Sequence, residues 1–115
     1  MRNRIELDFG GFVLEAAFFD TAISQEFAEN LPYQVSLTHW GNELYGSIGI
    51  DLGDEDPVED IPPGGIAYTN QGNYVCVFFG QRPAWAVEYI GQIIDVQWEK
   101  LIENSAQTSL EIRFK

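Results

Sequence analysis

Tyr74-Val75-Cys76-Val77-Phe78-Phe79 is an unbroken run of apolar and aromatic residues, and it constrains this chain more than any other stretch. A half-exposed antiparallel strand alternates apolar and polar side chains. A strand built from this run must instead have both faces covered. One face belongs to a core. The other has to meet packed protein, a partner, or a ligand in a groove.

The remaining segments alternate in the ordinary way. Ile5, Leu7 and Phe9 are interleaved with Glu6 and Asp8, Gly10-Gly11 marks a hairpin turn, and Phe12 to Phe18 returns. Asp20 is placed to cap a helix carrying Ile23, Phe27 and Leu31 on one face, with Pro32 as its stop. Tyr33, Val35 and Leu37 alternate with polar residues in a third strand that runs to Trp40, and Gly41-Asn42 turns the chain into Glu43 to Ile48. Positions 51–64 change character to carboxylates, prolines and Gly64, which marks an exposed loop. Gly65 to Asn70 and Tyr74 to Phe79 form a hairpin, and Val87 to Ile94 is a strand interrupted by Gly91, a residue that marks a bulge or a close backbone approach. Asp95 is placed to cap a second short helix before a last strand, Thr108 to Phe114. Eight strands, two short helices and hairpin-length links predict one domain over 1–115. Its fold class is mainly β, a closed antiparallel eight-stranded barrel whose ends the helices cover.

The charge excludes several partners. The net charge is −12, and no Lys or Arg lies between Arg4 and Arg82. Such a surface repels phosphate backbones and anionic lipid, so neither nucleic acid nor a membrane is an expected partner. The start Met1-Arg2-Asn3-Arg4 leads into alternating residues rather than an apolar leader, and no stretch approaches membrane-spanning length, so a cytoplasmic protein is expected. Cys76 is the single cysteine, which rules out a disulfide within the chain, and it reads as a small buried hydrophobe. His39 is the single histidine; on the parity of Val35 and Leu37 it sits at the inner face or rim. One histidine and one cysteine cannot build the usual zinc site. The acidic group Asp51, Asp54, Glu55 and Asp56 lacks the spacing of an EF-hand. No metal and no cofactor is expected.

The order of elements resembles the cyclophilin fold, and more closely the small prokaryotic cyclophilin-like family. The residues that carry the likeness are Trp40-Gly41-Asn42-Glu43-Leu44-Tyr45, Gly65-Ile66-Ala67-Tyr68, Val77-Phe78-Phe79-Gly80-Gln81-Arg82-Pro83 and Ile90-Gly91-Gln92-Ile93. Arg82 stands where that family often carries threonine. The resemblance implies a capped eight-stranded barrel. Cyclophilins proper are peptidyl-prolyl isomerases with a catalytic arginine on the third strand and a Phe-Met-x-Gln segment on the next. Here Tyr33 to Trp40 contains no arginine, the next strand reads Glu43-Leu44-Tyr45-Gly46-Ser47, and no histidine precedes Ile90-Gly91. An isomerase stabilises a twisted amide by hydrogen-bond donation, so this chain is not expected to be a strong one.

The candidate site lies on the outer face. If Leu44 and Ile48 point inward, Glu43 and Tyr45 point outward, and the same parity places Thr38 and Trp40 beside them. With Tyr68 and one ring of Phe78 and Phe79, they line an aromatic groove with polar tips, the make-up of a small-molecule or short-peptide site. Arg82 could clamp a carboxylate or stack on Trp85; a surface ion pair is its other reading. Glu43 is the carboxylate best placed for acid–base work, and its other reading is acceptance of backbone N–H groups in the neighbouring turn. Three functional classes follow: a binding module, an enzyme (a weak prolyl isomerase or a component acting on amide or ureido groups), and a homodimer with the groove at its interface.

Overall fold

The alternation of Ile5 and Leu7 is matched across a hairpin by Ala16 and Leu14, and all four side chains are buried. The computed structural model describes residues 3–115, so the first two residues of the Met1–Arg4 start lie outside the described residues. The hairpin consists of β1 (Arg4–Asp8) and β2 (Val13–Phe18). Its turn closes where the Gly10 N–H donates to the Asp8 carboxylate at 2.8 Å. Helix α1 (Ala22–Glu29) follows. Its cap is Thr21 rather than Asp20: the Thr21 hydroxyl accepts from the Ser24 N–H at 3.2 Å. Ile23 and Phe27 are buried, and the Ser24 hydroxyl donates to the Ile90 carbonyl at 3.0 Å, which ties the helix across one barrel mouth. The helix ends before Pro32, as the restricted residue preceding a proline requires, and Leu31 packs as a half-buried residue beyond it.

Strands β3 (Tyr33–Ser36) and β4 (Thr38–Trp40) replace the single third strand expected from the alternation. β3 pairs with β9 (Ser109–Phe114), whereas β4 pairs with β5 (Glu43–Ser47). At the break, the Leu37 N–H still donates to Thr108 at 2.9 Å, and the chain then changes partner. The sheet therefore has nine strands in the order β3-β9-β1-β2-β8-β6-β7-β5-β4, where β6 is Gly65–Thr69, β7 is Tyr74–Phe78 and β8 is Glu88–Ile93. Its two end strands are neighbours in the chain, and the barrel is nearly closed. Where β3 meets β5, a Cβ on Gly46 would lie 2.2 Å from the Ser36 carbonyl oxygen, so only glycine allows this approach.

Gly91 carries both features expected of it. The pairing of β6 and β8 shifts register beside it, and a Cβ there would sit 2.8 Å from the Ala17 carbonyl. Asp95 does not cap the second helix. It opens a 3-10 turn, Asp95–Glu99, with a φ of 57°, and the residue before it makes no side-chain cap; α2 (Lys100–Glu103) continues the turn. Among the described residues no helix is long and apolar enough to cross a membrane.

The apolar run now has its explanation. Val75, Val77 and Phe79 enter the main core with Tyr68, Phe27 and Ile66. Tyr74, Cys76 and Phe78 face the other way, into a second cluster with Ile61, Ala67 and Val87. Part of the outer cover comes from the acidic loop, whose Val58 pairs with Val87 and whose Ile61 is buried. That loop is pinned from below. The buried Glu88 carboxylate accepts the N–H groups of Glu55 and Asp56, and the Tyr68 hydroxyl accepts from Leu52 at 2.8 Å while donating to Ile50 at 2.9 Å.

Candidate functional site

Strand parity places Trp40 of β4, Glu43 and Tyr45 of β5, and Tyr74, Cys76 and Phe78 of β7 on one outer surface. The register sets Glu43 opposite Phe78 and Tyr45 opposite Cys76, so the two β-ladders interleave a carboxyl, a thiol and aromatic rings. The connection from β7 to β8 folds back over them, and Pro83, Ala84 and Trp85 form the facing wall. The result is a cleft of about 350 Å³. That volume suits a compact organic molecule.

Two walls are held in place by specific contacts. The Trp85 indole is 43% exposed, yet its Nε1–H donates to the Thr69 hydroxyl at 3.0 Å, which orients the ring. Tyr45 and Tyr74 meet edge to face with centroids 5.1 Å apart. Trp40, 51% exposed, stands at the rim.

Glu43 is 6% exposed at the cleft floor. Its Oε1 accepts from the Gln81 Nε2–H at 3.4 Å, and the carboxyl is also hydrogen-bonded to the Cys76 thiol. Gln81 is itself held by the β4–β5 turn, because its Oε1 accepts the Asn42 N–H at 2.6 Å. Gly41, with a φ of 60°, makes room for this: a Cβ there would lie 2.2 Å from that same Gln81 oxygen. The turn N–H thus goes to Gln81, and Glu43 is left to a side-chain network.

Burial pushes the Glu43 carboxyl from its ordinary value of 4.5 up to about 7, against the lesser opposing pull of the Cys76 and Gln81 hydrogen bonds. Burial, together with the adjacent Glu43, also pushes the Cys76 thiol well up, so it is no ready nucleophile. A carboxyl that titrates near neutrality in an apolar wall can donate a hydrogen bond or a proton in its neutral form, and can ionise when a positive charge arrives.

This shift has a sign that can be measured. Between about pH 4.5 and pH 7 the folded protein keeps a proton that the unfolded chain has released. Stability therefore falls across that window as pH rises. Glu43→Gln removes this dependence. In urea unfolding at pH 5 and pH 8, the variant is expected to gain on the wild type by roughly 2–3 kcal/mol between the two. Asp8 and Glu15, both lowered chiefly by hydrogen bonds from Arg113 and Lys115 respectively, act in the opposite direction in both proteins and cancel in the difference. A difference that stays flat with pH would show that Glu43 is ionised throughout.

Of the residues expected at an outer groove, the fold brings Trp40, Glu43, Tyr45 and Phe78 to the cleft. Thr38 shares their face but stands exposed beyond it. Tyr68 and Phe79 point into the barrel, both almost fully buried. Arg82 is exposed and pairs with Asp60 at 2.8 Å. His39 is exposed at the rim, where its Nε2 lies 2.6 Å from the Gly41 carbonyl oxygen. Tyr74, Cys76, Thr69 and Trp85 were not among the expected lining. The parity of the apolar run carried the first two, since an outward Phe78 requires an outward Cys76 and Tyr74. No sequence signal places Trp85 over Thr69.

The architecture has counterparts among known structures. The chain is similar to a hypothetical protein from Archaeoglobus fulgidus, known from a solution structure, with a TM-score of 0.80 and 23% identity over 99% of this chain and 95% of that one. It is also similar to McbB, determined in complex with tryptophan, with a TM-score of 0.75 and 19% identity over 97% of this chain and 44% of that one. The chain thus spans less than half of McbB. At these identities the likeness is one of fold. No curated protein matches the chain. The family profile described as Cyclophilin-like covers residues 3–113, from before the first strand into the last, and the chain therefore belongs to the cyclophilin-like family.

Proposed function

We propose that this protein is a binding module for a small planar molecule held in the outer cleft between β4, β5, β7 and the Pro83–Trp85 wall. The observation that carries this reading is the Trp85 indole, fixed by Thr69 as a lid-like wall above an apolar floor. A ring kept partly in solvent, with its N–H already partnered, is pre-ordered to stack on a ligand at small entropic cost. A small molecule suits the cleft better than a peptide. Ile61 packs into the same outer cluster as Phe78 and Val87, which supports a compact cleft over an extended groove. The third strand offers no arginine for amide polarisation, which supports binding over prolyl isomerisation.

The indole ring is a suitable first probe, since McbB, which shares the fold, has been determined with tryptophan. Calorimetric titration with 3-methylindole is expected to show saturable one-site binding. Trp85→Ala is expected to weaken it about tenfold, on the scale of one stacked aromatic contact. The circular dichroism of that variant should match wild type, because the ring is exposed. Unchanged affinity in a folded Trp85→Ala variant would remove the cleft from consideration.

A further inference from the structure

We infer that the occupant of this cleft carries a cationic nitrogen, an amine in its ammonium form, seated against Glu43 and the surrounding aromatic rings. The inference rests on the binding reading above and names its ligand class. Glu43 is the only carboxyl lining the cleft among the described residues, and its hydrogen-bond partners there, the Gln81 amide and the Cys76 thiol, are both neutral. No Lys, Arg or His lines the cleft among the described residues. The nearest cation in sequence, Arg82, is engaged with Asp60 on the outside. Trp40, Tyr45, Tyr74, Phe78 and Trp85 supply rings whose faces are electron-rich and attract a positive charge. An anion would meet a buried carboxyl and a chain of net charge −12 with nothing to pair it. A neutral ring would fill the space and leave the carboxyl unused. A cation engages both the carboxyl and the ring faces of the lining.

Proton balance gives the inference a signature. Without a ligand the carboxyl holds its proton below its shifted pKa of about 7 and releases it above. An ammonium ligand forms its pair with the carboxylate, so the proton leaves to solvent as the ligand enters. Affinity for a cation should therefore rise about tenfold between pH 6 and pH 8. The titratable groups facing Glu43 are Tyr45 on its own strand and Cys76 and Tyr74 on β7; Trp40 on β4 and Gln81 carry no charge. His39 at the rim bonds the Gly41 carbonyl. The Cys76 thiol is pushed well up by burial, so it does not ionise in this range.

Three indoles that share a ring and differ in charge test this by calorimetry: tryptamine (cation), 3-methylindole (neutral) and indole-3-propionate (anion). At pH 8 tryptamine should bind at least tenfold tighter than 3-methylindole, and indole-3-propionate should give no measurable heat. Tryptamine titrations in two buffers of different ionisation enthalpy at pH 7 should show net proton release. Glu43→Gln should abolish the tryptamine advantage over 3-methylindole, with a circular dichroism spectrum matching the wild type to report that the variant is folded. Equal affinity for tryptamine and 3-methylindole, or an advantage that survives Glu43→Gln, overturns the cationic assignment while the binding reading stands. Absence of binding by all three overturns both.

Discussion

Phe79→Ala is expected to lower the unfolding free energy by about 3–5 kcal/mol, whereas Phe78→Ala, one residue away, should cost less. Both rings are almost fully buried, at 2% and 1% exposure, so burial alone does not separate them. The difference lies in what surrounds each. Phe79 packs in the main core among Phe27, Tyr68 and Val77, and its removal opens a cavity enclosed on every side. Neighbours bound into the nearly closed sheet cannot collapse into that space, so the cavity cost adds to the lost transfer energy. Phe78 sits in the smaller outer cluster and lines the cleft, so the space it leaves joins one that already opens to solvent. Urea unfolding of both variants measures the contrast. Equal losses would mean that the outer cluster is as enclosed as the core. Ligand titration separates them again, because only Phe78→Ala alters the cleft lining.

Gly46→Ala is expected to cost about 3 kcal/mol or more, the upper end for overpacking, although it adds a single methyl group. The added carbon would lie 2.2 Å from the Ser36 carbonyl oxygen and 2.5 Å from Val35 Cγ1. The Ser36 oxygen is backbone, and β3 is held in place by four register pairs with β9, so it cannot swing aside as a flexible side chain would. The sheet must part at the seam between β3 and β5, or the Gly46 backbone must shift and drag β5 out of register with β7. Gly11→Ala is the control: a Cβ there meets nothing within 4 Å, and the change should stay within about 0.5 kcal/mol of wild type. A Gly46→Ala protein as stable as the control would mean that the seam is loose in solution.

Much of this architecture was legible in the chain. Alternation at Ile5 and Leu7 and at Leu110 and Ile112 reports which face of each strand meets the core, since a side-chain period of two leaves no other choice. The run Tyr74–Phe79 announced two covered faces, and the structure has them. The third strand was harder to read. Its alternation persists through Leu37, but the change of partner from β9 to β5 depends on where those strands lie. Helix starts were displaced for a local reason: Thr21 has the extended backbone from which its side chain reaches the Ser24 N–H, and Asp95 adopts a left-handed φ.

By itself the sequence determined the strand-rich class, the faces of the plainly alternating strands, and the outward set Trp40, Glu43 and Tyr45. Those follow from local periodicity and from steric rules that act over a few residues. The tertiary structure alone decided that Phe79 and Tyr68 belong to the core, that Arg82 turns to Asp60, and that Trp85 completes a cleft around Glu43. These depend on contacts between residues far apart in the chain. Gln81 reaches Glu43 across 38 positions, and Trp85 reaches Thr69 across 16. Burial of a carboxyl is likewise a property of the assembled surroundings, because desolvation is set by everything packed around a group and not by its neighbours in sequence.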